Sequence, residues 1–195
     1  ARPQMGTKIS KDKREGIEAM IALDISNSML AEDVAPSRLE RSKRLVEDLL
    51  NHFTNDKIGL VVFAGDAFVQ LPITADYISA KMFLDNISPS LIGSQGTDIA
   101  KAIELSQHSF TQNSKFGKAI IIITDGENHE GGAEEMARKA QKAGIRVFIL
   151  GIGSTAGAPI PMDNGSYLQD KDGQTVMTKL NEDMCKKLAE AGKGM

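Results

Sequence analysis

Cysteine is nearly missing from these 195 residues. Cys185 stands alone, so no disulfide can close within the chain, and a single thiol does not decide the redox compartment. It shares a helical pattern with Leu180, Met184 and Leu188, where a buried, inert thiol is the expected state. Histidine is scarce as well: His52 and His108 fall in helical stretches, His129 in a loop, and no His/Cys cluster has zinc spacing. No block of Lys and Arg resembles a binding patch, and a net charge of −3 gives no reason to expect nucleic acid. No apolar run reaches bilayer-spanning length, which leaves either a soluble chain or a stretch lying between such segments. Ser/His/Asp, Cys/His and phosphate-cradling Gly-rich motifs are lacking too, so no catalytic residue is assigned.

What is present is an ordinary globular composition, 41% hydrophobic and 25% charged, in a length that fits one medium domain with a real core. Residues 1–16 are polar and basic and read as a lead-in to a domain over 17–195. Ile17 to Ile25 reads as a first strand, apolar on both faces, as parallel strands covered by helices are. Ser37-Arg38-Leu39-Glu40 fits a capping box ahead of a helix whose stripe is Leu39, Val46, Leu49, Leu50 and Phe53. Ile58 to Ala64 is a second strand, with Ala67 to Pro72 close enough to return as an antiparallel partner. Helices are expected from Thr74, as cap, to Leu84 and again from Asp98, the latter following the loop Gly93-Ser94-Gln95-Gly96-Thr97. Lys118 to Thr124 and Ile145 to Ile152 are further buried strands, separated by a helix over Ala133 to Ala143. The pattern then changes over about 154–178, where Asp172-Gly173 marks an inserted hairpin, before a last helix from Asn181 to Ala191. A doubly wound sheet would add one more strand after that helix, and we expect it to be truncated here. Strands alternating with helices predict a three-layer α/β/α sandwich with a doubly wound, mostly parallel sheet and one antiparallel strand.

Ligands of such folds bind beyond the carboxyl ends of the strands, at the point where the strand order reverses. The first strand and the Lys118–Thr124 strand are expected to be neighbours there, and they end on Asp24 and Asp125. Asp24, Ser26 and Ser28 occupy every second position, so in extended chain their oxygens point the same way. Hard cations such as Mg2+ and Ca2+ take oxygen ligands. The plain alternative is that the serines cap the following turn.

Asp24-x-Ser26-x-Ser28, then Thr97 behind a Gly-rich loop, then Asp125-Gly126, resembles the metal-ion-dependent adhesion site of von Willebrand factor A-type domains. The likeness runs from Ile17 to about Gly192. A narrower similarity, to the Bacteroides aerotolerance (Bat) proteins, rests on Asp24 through Asp33, Pro36-Ser37-Arg38-Leu39, Val62-Phe63-Ala64-Gly65, Gln70-Leu71-Pro72 and Thr124-Asp125-Gly126-Glu127-Asn128-His129. That resemblance implies a domain set between transmembrane helices, with Ala1-Arg2-Pro3-Gln4 similar to the exit from the preceding one, at the bacterial inner membrane and on its periplasmic side.

The resemblance also implies a site for Mg2+, or Mn2+ or Ca2+, made by Asp24, Ser26, Ser28, Thr97 and Asp125. The hydroxyls would touch the ion and the two carboxylates would act through water or hydrogen bonds. Neutral hydroxyls leave the ion electrophilic, suited to an acidic side chain of a partner protein, another subunit of a membrane complex. Met29, Gly96, Gly126 and Glu127 are the expected partner contacts; Glu32-Asp33 and Asp66 are read as solvated loop charges. Two other function classes stay open. An Asp ending the first strand is similar to aspartyl phosphatases, whose chemistry wants a second Asp where Ser26 stands. A metal-free scaffold would use the same oxygens only to hold loops.

Overall fold

The central strand is β1, Gly16–Asp24, and every residue from Glu18 to Asp24 is buried. The structure, a computed structural model, describes residues 16–127 and 131–193. The expected lead-in up to Glu15 and His129, for which a loop is expected, lie outside the described residues. β1 runs parallel to β2 (Lys57–Phe63) on one side and to β4 (Phe116–Thr124) on the other. β3 (Ala67–Thr74) returns antiparallel to β2, and β5 (Ile145–Gly151) lies parallel to β4. The order is therefore β3-β2-β1-β4-β5, with one antiparallel strand at the edge, as the alternation of patterns predicts.

Alternate β1 residues feed two separate cores because successive side chains leave a strand on opposite faces. Ile21, Leu23 and Ile25 pack with α1 (Arg38–Asn51) and α2 (Tyr77–Asp85) through Leu39, Val46, Leu50, Ala80 and Leu84. Met20 and Ala22 face α3 (Ile99–His108), α4 (Ala133–Lys142) and α5 (Glu182–Ala191). Helices on both faces leave β1 no solvent-facing side, which is why it reads as a nearly unbroken apolar run.

Side-chain caps start four of the helices: Ser37, Asp76, Asp98 and Asn181 each accept a hydrogen bond from the backbone three residues on. The cap expected at Thr74 belongs instead to Asp76. Thr74 Oγ1 accepts from the Asp76 N–H at 3.1 Å, two residues too early, and β3 extends through Thr74. Between β5 and α5 the short strands β6 (Ala158–Pro159) and β7 (Met177–Thr178) pair antiparallel, and Gln169 bridges Thr175 beyond them across the Asp170–Gly173 turn. After α5 the Gly192 carbonyl accepts from the Val147 N–H at 3.2 Å, so the chain begins to lie parallel along the free edge of β5. No described helix is long and apolar enough to cross a membrane.

Candidate metal centre

β1 and β4 end side by side, and their last residues start the site. Asp24 Oδ2 accepts from Thr124 Oγ1 at 2.7 Å, while Asp24 Oδ1 accepts from the N–H of Ser26 at 2.9 Å and from its hydroxyl at 2.6 Å. The 3-10 turn Asn27–Leu30 then swings Ser28 back, so that its hydroxyl donates to Asp125 Oδ2 and lies 3.0 Å from Ser26 Oγ. Four of the five predicted site residues thus stand in one row, Asp24–Ser26–Ser28–Asp125, with each serine hydrogen-bonded to its carboxylate and the two hydroxyls in close contact at the centre. Thr97 is buried on the neighbouring loop, which is held by the Asp98 N–H on the Ala64 carbonyl at 2.7 Å. Asn27 Nδ2 spans from the serine turn to Gln95 Oε1 of that loop at 2.7 Å. Among the described residues the Thr97 hydroxyl takes no part in this row.

The two carboxylates are costly to charge where they stand. Burial pushes the Asp24 carboxyl up to about 7, with the charge of Asp125 adding to it and hydrogen bonds from Ser26 and Thr124 pulling the other way. Burial likewise raises Asp125, opposed by the hydroxyl of Ser28, the Glu127 N–H and the Arg38 charge.

Arg38 is the residue that sequence reasoning passed over. Its side chain is fully buried, and Nη1 donates to Asp125 Oδ2 at 3.1 Å. Nε and Nη2 clasp both oxygens of Asp33 at 2.8 Å each, and Nη1 and Nη2 reach Thr178 Oγ1 and its carbonyl. Asp33, expected as a solvated charge, is therefore the main counter-ion of Arg38. Burial pushes its carboxyl up, but hydrogen bonds from Arg38 and the Ser154 N–H, with the Arg38 charge, outweigh that and leave it below the ordinary range. Gly153 makes the arrangement possible: at φ +124°, a Cβ there would stand 2.8 Å from Arg38 Nε. A signal existed. Arg38 lies on the stripe that carries Ser42 and Val46 at i, i+4 and i+8, a core-facing position for an arginine.

The expected partner contacts fare unevenly. Met29 is 0% exposed in the core, because the turn folds its side chain inward, and it cannot meet a partner. Gly126 is buried too, 2.7 Å from the Asn181 carbonyl measured from where a Cβ would sit. Glu127 is half-buried, and its Oε1 already accepts from Thr178 Oγ1 and the Lys179 N–H. Only Gly96 of the four is exposed. Cys185 is half-buried with its thiol pushed up to about 11 by burial, which keeps it protonated.

Among the described residues no three His, Cys, Asp or Glu side chains come together as a metal set. A cation here would have to sit on hydroxyls, and the serine pair suits one. Each hydroxyl has one proton; once both are given to carboxylates, only lone pairs face each other across the 3.0 Å gap. Two ligands at right angles on Mg2+ bonds of about 2.1 Å would be about 3 Å apart. The donor set fits a small hard dication.

The sequence profile of the von Willebrand factor type A domain matches residues 19–127. The structure is similar to that of BatB from Bacteroides thetaiotaomicron, with 59% identity, a TM-score of 0.90 and coverage of 92% of this chain and 88% of that one. It is also similar to an aerotolerance-related membrane protein of Bacteroides fragilis, at 57% identity and a TM-score of 0.89 over 92% and 89% of the two chains. Proximal thread matrix protein 1 of the mussel byssus, solved with its adhesion motif occupied by zinc, shares the fold at 20% identity and a TM-score of 0.62, over 71% of this chain and 36% of that one. An uncharacterized protein of Borreliella burgdorferi is 32% identical over 157 residues, which are 77% of this chain and 46% of that protein. The chain spans about half the length of the curated relatives it matches. It belongs to the von Willebrand factor type A domain family and, within that family, is related to the BatB aerotolerance-related proteins of Bacteroides.

Proposed function

We propose that this domain is a metal-dependent interaction module that captures an acidic side chain of a partner protein. The observation that carries the reading is the pair of serine hydroxyls 3.0 Å apart, each directed at a buried carboxylate. Ser26, Ser28 and Thr97 would supply neutral oxygens to Mg2+, with Mn2+ or Ca2+ as alternatives, while Asp24 and Asp125 orient the hydroxyls from behind. Such a donor set leaves charge on the ion for an incoming carboxylate. Zinc in the mussel protein supports a dication at this place in the fold and adds Zn2+ to the ions worth testing. Gly96 remains a partner contact in this reading. An Asp at the position of Ser26 would be needed for phosphatase-like acid–base work, and the hydroxyl there favours binding over hydrolysis.

The setting we propose is the bacterial inner membrane, with the domain on the periplasmic side and another subunit of a membrane-associated complex as partner. Support comes from the Bacteroides fragilis neighbour, an aerotolerance-related membrane protein. The test is calorimetric titration of chelator-stripped protein with Mg2+ and Mn2+, with Asp125→Ala alongside. One-site binding lost in the variant is the expected result. A folded protein that binds neither ion would leave the scaffold reading in its place.

A further inference from the structure

Beside the serine pair lies a groove of about 550 Å3. Its floor is Asn27 and Leu30, which flank Ser28 in the same turn. One wall is the segment around Ile92, where the Ser88 and Ser90 hydroxyls bond each other at 2.7 Å. The other is Pro161 and Met162, near the tip of the segment between β6 and β7. This second wall is built rather than loose. Met162 N–H donates to the Ser166 carbonyl and Leu168 N–H to the Ile160 carbonyl, while the base is held by Arg38 on Thr178 and by Asp33 on Ser154.

Leu30, Ile92, Met162 and two prolines supply the apolar part of the lining, serine hydroxyls and the Asn27 and Gln95 amides the polar part, and its only charge is Asp163. No cation in it would hold a second acidic side chain, and Asp163 would repel one. Met162 is 41% exposed, free to be covered. We infer that this groove receives the stretch of the partner next to the captured acid. The occupant is an extended segment with an uncharged, apolar side chain two residues from that acid. The spacing follows from extended geometry: residues i and i±2 point the same way, so an acid aimed at the serines leaves one of its second neighbours, on the groove side, aimed at the groove. The inference rests on the proposed metal-dependent capture and adds the chemistry of the flank.

The probe is a nonamer peptide library with a fixed central Glu and all other positions varied, captured on the immobilised chain in Mg2+ and released with EDTA. Enrichment of Leu, Ile, Val or Met at one of the two second-neighbour positions, over Asp, Glu and Lys, is expected. Met162→Ser should then weaken the selected peptide about fivefold by removing apolar contact, while Leu91→Ser, an exposed apolar residue outside the groove, should not. Mg2+ affinity, measured by calorimetry without peptide, should be equal in all three proteins. EDTA-sensitive capture with no preference at those positions, or no effect of Met162→Ser, overturns the groove assignment and leaves metal-dependent capture standing. No capture despite Mg2+ binding overturns it as well. No Mg2+ binding at all removes the reading it rests on, and the groove assignment with it.

Discussion

Arg38 and Asp125 meet at 3.1 Å with both side chains wholly out of solvent. The pair joins the back of the candidate metal centre to the segment between β5 and α5, since the same guanidinium holds Thr178 and Asp33. Removing one member of a buried ion pair strands the other charge, at a cost of about 3–5 kcal/mol. Arg38→Gln should lower the unfolding free energy by that order, read as a lower urea midpoint. Arg38→Lys keeps the charge but loses the two-pronged grip on Asp33, and should fall between. Equal midpoints for all three proteins would refute the network's role in stability.

Gly153→Ala tests the same network from the other side. A side chain there needs φ +124° and meets Arg38 Nε at 2.8 Å. We expect a loss of more than about 1 kcal/mol and faster proteolytic cleavage within residues 154–178. Unchanged cleavage would show that Arg38 does not hold that segment in place.

Asp24 gives a pH signature in chelator-stripped protein. Its folded value, about 7, lies above the unfolded carboxylate value, so its contribution to stability is complete below that ordinary range and is lost as pH rises through about 7. Midpoints of the parent protein should fall across this window more steeply than those of Asp24→Asn. Mg2+ competes with the same proton, so its affinity should climb with pH and level off above about 7. Asp33, with a lowered value, has the opposite sign: its stabilisation is present above the ordinary carboxylate value and fades as pH falls through its depressed one. Asp33→Asn should therefore flatten the acid side of the profile, and parallel profiles would contradict this assignment.

Asp24→Ala should abolish Mg2+ binding with the sheet still folded, judged by circular dichroism and calorimetry together. Mg2+ affinity retained in that variant would sink the metal assignment.

Thr97→Ala should weaken capture of an acidic peptide more than it weakens folding. A collapsed thermal transition would instead mark Thr97 as a structural residue.

Much of the fold is local pattern and was legible as such. β1 and β4 are apolar runs broken only near their starts, by Glu18 and Lys118, and the antiparallel return of β3 follows from the short Gly65-Asp66 link. Thr74 and Asp76 are both cap-forming residues, two apart, and only the extent of β3 decides between them. That Met29 faces the core is not legible, because a turn of four residues has no periodicity to show which way a side chain faces.

The sequence by itself determined Asp24 at the end of one strand, Asp125 just past the end of another and the alternating serines after Asp24, because spacing along an extended chain is a local property. It also determined the family. The tertiary structure decided which charges meet. Arg38 touches Asp33 five residues away but also Asp125 and Thr178, 87 and 140 positions on. Contacts of that range are set by how the helices and the inserted segment pack on the sheet, and no window of sequence contains both partners.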